Sequence, residues 1–215
     1  MASWLRERST ESITRIADNI IEPLLTLMDD EEEDIRTQAM VMAATMKDER
    51  IVPHARAMFL SDADWWVRSV AADALSNFAS ADVIEVLVGK IGDQDVGLSA
   101  ISALGKCGDE SAIPHLITPL QDARPSARIE ALNALKQFPR QDVIEGIKRM
   151  VSREDHRRVL EHAALVVKAM GVQEDFVNSA LENIERSAGS PSSEEEFLFL
   201  EMENQNLNPE GSSPA

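Results

Sequence analysis

One two-helix pattern recurs along this chain in a fixed register, and that recurrence limits the fold more than any other feature. It is clearest from Asp64 to Ile91. Val67, Ala71, Ala74, Leu75 and Phe78 fall three or four residues apart, one apolar stripe at the α-helical period. Ser80-Ala81-Asp82 interrupts the stripe with residues suited to cap a following helix. Val83, Ile84, Leu87, Val88 and Ile91 then form a second stripe. Neither helix can hide its apolar face alone, so the hairpin needs neighbours of its own kind.

Those neighbours are present. The first-helix stripe recurs at Ala39-Met42-Ala43-Met46, Ala100-Ala103-Leu104-Cys107 and Ala131-Ala134-Leu135-Phe138, and more weakly at Ala163-Val166-Val167-Met170. From Ala39 to Ala71, Ala100, Ala131 and Ala163 the steps are 32, 29, 31 and 32 residues. The second helix keeps the same phase at Ile51, Val83, Ala112 and Val143, and again at Ile20, which lacks a clear first-helix partner. Repetition over such a length implies an all-α fold, an α-solenoid of stacked helical hairpins. Residues 1–19 read as an irregular capping helix carrying Trp4, Leu5, Ile13 and Ile16, residues 20–186 as the solenoid, and residues 187–215 as an acidic tail.

Composition narrows the function classes. Acidic residues outnumber basic ones 38 to 21, for a net charge of −17. Phosphate contacts need a basic face, so nucleic acid is not the expected ligand, and an anionic membrane surface is disfavoured for the same reason. A protein partner, basic in character, is compatible. No apolar run is long enough to span a bilayer, and the start of the chain lacks an apolar signal core. The single cysteine, Cys107, sits on a predicted buried stripe and fits a reducing, cytoplasmic setting. The sequence carries no signal for an oligomeric state.

The loops before the first helices share an acidic theme: Asp29 to Asp34 is an unbroken acidic run, and Asp62, Asp64, Asp93, Asp95 and Asp122 follow. An arginine stands after the loop at Arg36, Arg68 and Arg128. Val67-Arg68 with Ala71 to Leu75, and Ile113-Pro114-His115-Leu116, resemble HEAT-like repeats of the phycobilisome-lyase type over about residues 20 to 184. The resemblance implies a structural ladder between neighbouring turns, carried by Asp64, Arg68 and Arg128. Gly97 and Leu160 replace the arginine in the third and fifth repeats, so the ladder is expected to break there. The resemblance also brings to mind a second function, a subunit of a bilin lyase or related chromophore-handling enzyme, although the residues supply no tetrapyrrole site.

No catalytic constellation stands out. His54 and His115 lie two repeats apart, about 20 Å at roughly 10 Å per repeat, too far to share a metal. His156 and His162 lack the i, i+4 spacing of helical metal ligands. No catalytic, cofactor-binding or metal-ligating residue is therefore assigned, and the expected function is a non-catalytic protein-binding scaffold or adaptor.

Three stretches are candidates for partner contact. In the architecture implied by the resemblance, second helices line the concave side of the curve. The positions between their core residues then form a strip: His54, Glu85, Val86, Gly89, His115, Thr118, Glu145 and Arg149. Gly146 is expected to be exposed there as the equivalent of His54, Val86 and His115. Trp65 and Trp66 cannot both enter one core, because adjacent helical residues point about 100° apart. One of them is expected to be exposed, packing on the previous repeat or anchoring a partner. The tail carries Phe197, Leu198, Phe199 and Leu200 among glutamates, a cluster that either caps the last repeat or enters a partner's groove.

Overall fold

A computed structural model describes residues 18–173 and 175–187. All regular structure among them is helical. After α1 (residues 18–27) come α2 (Glu33–Met46), α3 (Ile51–Ser61), α4 (Trp65–Leu75), α5 (Ala81–Val88), α6 (Gly97–Cys107), α7 (Ile113–Ile117), α8 (Pro125–Leu135), α9 (Gln141–Val151), α10 (Arg157–Ala169) and α11 (Asp175–Ser187). Even-numbered helices up to α10 are the first helices of the hairpins. Each packs on the next, α2 on α4, α4 on α6, α6 on α8 and α8 on α10. Stripe positions from successive repeats thus merge into one core, in which Ala71, Leu75, Ala100, Leu104, Ala131, Leu135, Ala163 and Val167 are all buried. No described helix is long and apolar enough to cross a membrane.

The local signals act as their chemistry requires. Asp64 caps α4, its carboxylate accepting from the amides of Trp66 and Val67 at 2.7 and 3.2 Å. Ser80 caps α5 by accepting from the Val83 amide. α7 is short because Pro119 has no amide hydrogen to continue it, and the chain passes into a 3-10 turn at Thr118–Gln121. Gly108 ends α6 with φ of 69°, a left-handed conformation that glycine adopts without strain.

Several expectations need correction. Met42 is 56% exposed rather than a stripe residue. Its equivalents Ala74, Ala103 and Ala134 face back along the stack, and among the described residues no first helix precedes α2. Gly146 is buried, not exposed, because α9 turns it against α7, where an added Cβ would meet Ile117 Cγ2 at 3.3 Å. Phe78 and Cys107 are only half-buried.

The ladder is present, but its acidic member is not Asp64. Arg36 makes a two-pronged pair with both Asp62 oxygens at 2.8 and 2.9 Å. It also donates to the carbonyls of Asp30 and Glu31 in the loop before its own helix. Arg128 repeats this arrangement with Glu154 and with the carbonyls of Asp122 and Ala123. The rung acids, Asp62 and Glu154, thus lie six residues before the next arginine position; Asp30 and Asp122 stand at the equivalent places, Asp122 paired with Arg124, whereas Asp64 is occupied as the α4 cap. In the third repeat that acid position is Ile91 and the arginine position is Gly97, so both rung residues are missing together. Arg68 turns instead to the more exposed Asp95 at 2.8 Å. Leu160, in the fifth repeat, is a buried core residue.

Candidate functional site

The second helices do not pack as evenly as the first. α7 meets α9 and α9 meets α11, but α3 and α5 barely touch. α5 is only 8 residues long and ends at Gly89, which leaves the flank of α3 uncovered. A groove of about 380 Å³ opens there, lined by Arg56 and Leu60 from α3 and by Asp82, Glu85, Val86, Gly89 and Lys90 from α5 and its end. Leu60 is 41% exposed, an apolar floor between charged walls. Gly89 keeps the groove open. A Cβ there would meet nothing closer than the Val86 and Glu85 carbonyls at 3.5 and 3.6 Å, ordinary contact distances.

Glu85, Val86 and Gly89 are therefore brought together in one concavity. The other strip residues are distributed along the remaining second helices. His54 is half-buried on α3, and His115 is exposed on α7. The Thr118 hydroxyl donates to the Pro114 carbonyl, Glu145 accepts from Gln141 and Lys148, and Arg149 donates to the Glu145 carbonyl. Sequence reasoning missed Arg56, Leu60, Asp82 and Lys90. A signal for Leu60 was available: Met58-Phe59-Leu60 puts three apolar residues in succession, and at 100° per residue they cannot all face one core. Met58 and Phe59 take the buried side.

Trp65 and Trp66 are both exposed, 56% and 55%, at the start of α4, with ring centroids 5.7 Å apart and planes at 75°. Neither packs into the previous repeat as a core residue. The tail cluster Phe197 to Leu200 lies outside the described residues, as do Trp4, Leu5, Ile13 and Ile16.

The electrostatics are those of a structural framework. Burial pushes the Asp62 carboxyl upward, but the Arg36 guanidinium and the Asp64 amide outweigh it, and the group sits below the ordinary carboxylate value. Arg124 does the same for Asp122. Burial, with help from the nearby Asp109 charge, raises the Cys107 thiol to about 11, so it stays protonated at neutral pH and is a poor nucleophile. Among the described residues no group of three or more histidine, cysteine or carboxylate side chains is arranged to hold a metal ion.

A family model of HEAT repeats matches residues 2–76 and 52–123, together more than half of the 215 residues. No curated protein matches the chain. Among solved structures, the crystal structure of an engineered protein is similar at 18% identity, covering 77% of this chain and 98% of that one with a TM-score of 0.46. The family match is to HEAT repeats as a class; the narrower phycobilisome-lyase likeness rests on the sequence pattern alone.

Proposed function

Because the chain belongs to the HEAT-repeat family, a class of scaffold that commonly mediates protein–protein interaction, we propose that it is a non-catalytic adaptor gripping a protein partner on its second-helix face. The observation that carries this reading is the groove between α3 and α5, with Glu85, Val86 and Gly89 on one wall and Arg56 and Leu60 on the other. Its mixture of an exposed leucine with both signs of charge suits a protein segment, which buries an apolar anchor inside a polar rim. A small apolar ligand would find too little apolar wall.

Affinity capture from the source cell with wild-type and variant proteins tests the proposal. Gly89→Trp fills the groove without a backbone clash and is expected to abolish capture at unchanged melting temperature. Glu85→Lys with Glu145→Lys is expected to do the same by charge. Reversals at Glu110 and Asp142, which pair with exposed Arg140, should leave capture intact. If the groove variants keep the partner and the Glu110 and Asp142 variants lose it, the recognition face lies elsewhere.

A further inference from the structure

We propose that Trp65 and Trp66 form a second contact site, on the first-helix layer, for an arginine-bearing basic segment of a protein partner. The two indoles are exposed, and they stand face to edge. That geometry leaves ring faces open to a planar cation, which is attracted to the negative face of an indole. Their surroundings supply the complementary charge. By repeat register, Trp66 occupies the place of Asp34 in α2 and of Asp95 ahead of α6. The cap geometry supports the match: Asp93 accepts from the Asp95 and Val96 amides just as Asp64 accepts from those of Trp66 and Val67. The packed helices α2, α4 and α6 therefore present a row with a carboxylate on each side of the tryptophan pair. Glu33 adds a further exposed charge at the place equivalent to Trp65. The cations of this edge are already committed, Arg36 to Asp62 and Arg68 to Asp95 and two loop carbonyls. With Asp95 held by Arg68, a guanidinium from outside can stack on the rings while hydrogen-bonding to Asp34 or Glu33 on the α2 side, a combination that arginine's planar fork suits better than lysine.

The test uses the full chain and a short Gly/Ser peptide with spaced arginines, beside the same peptide with citrulline, which is isosteric and neutral. Binding is read from the indole N–H resonances at about 50 mM salt, where the Debye length still allows attraction. The arginine peptide should move both indole signals. Trp65→Ala with Trp66→Ala should weaken it about tenfold, the loss of two stacking faces. Helical content and melting temperature should stay unchanged, because both side chains are exposed. Gly89→Trp should bind the peptide like wild type, which separates this site from the groove. The proposal is overturned if citrulline binds as well as arginine, if the double variant keeps full affinity, or if the arginine peptide leaves the indoles unmoved.

Discussion

Two glycines show how differently the two helix layers are built. At Gly105 in α6 an added Cβ would lie 2.7 Å from both the Cα and the Cβ of Ala134 in α8, so the first helices touch backbone to side chain. At Gly89, closing α5, the same atom would find only ordinary contacts from its own turn. The first layer is a spine in which small residues set the spacing, and its rungs fix neighbouring loops. The second layer carries less of the packing between repeats, and where α3 and α5 part it leaves usable space. The tightest packing between repeats and the open groove thus lie in different layers of the same hairpins.

The comparison breaks most readily in the core that the two layers share. Leu75 is fully buried, and Leu75→Ala should cost about 2–5 kcal/mol in chemical denaturation. Val86→Ala in the groove should cost under about 1 kcal/mol; equal costs would erase the distinction. Within the ladder the two kinds of rung should separate. Glu154 has a side chain only 2% exposed, so Arg128→Ala strands a buried carboxylate and should cost about 3 kcal/mol. Asp95 is 63% exposed, and Arg68→Ala should cost roughly 1 kcal/mol. The glycines should respond with opposite sign. Gly105→Ala pushes α6 and α8 apart, losing about 2 kcal/mol. Gly89→Ala gains a few tenths by limiting the unfolded chain, roughly within the usual 0.4–1 kcal/mol.

The smallest effect is on the acid limb of stability. The folded-state Asp62 carboxyl lies below its ordinary value of about 3.9, so its contribution is complete above that pH and is lost as pH falls through the lower, folded value. Asp62→Asn should be less stable than wild type near neutrality and should show a flatter decline below about pH 4. An unchanged acid limb in thermal melts would show that the Arg36 rung does not respond to protonation of Asp62.

What the sequence determined by itself was local and periodic. The spacing of Val67, Ala71, Ala74 and Leu75 specified a buried helical face, Asp64 and Ser80 specified where helices start, and the step of about 31 residues specified a stack, because each signal acts within a turn or two of helix. Tertiary structure decided whatever depends on the neighbouring repeat. Asp62 and Asp64 are two residues apart and chemically alike, yet only the loop path places Asp62 within reach of Arg36. Ile91 counts as a lost rung acid only because the equivalent Asp62 and Glu154 reach the arginine of the preceding repeat. Gly146 is buried and Gly89 open because α9 leans onto α7 while α5 stands off α3. Trp65 and Trp66 both reach solvent because the core at the start of α4 is filled by Val67. Periodicity says which side of a helix is apolar; how closely the next helix approaches that side, and where it leaves a gap, is set by side-chain volumes contributed from residues about thirty positions away.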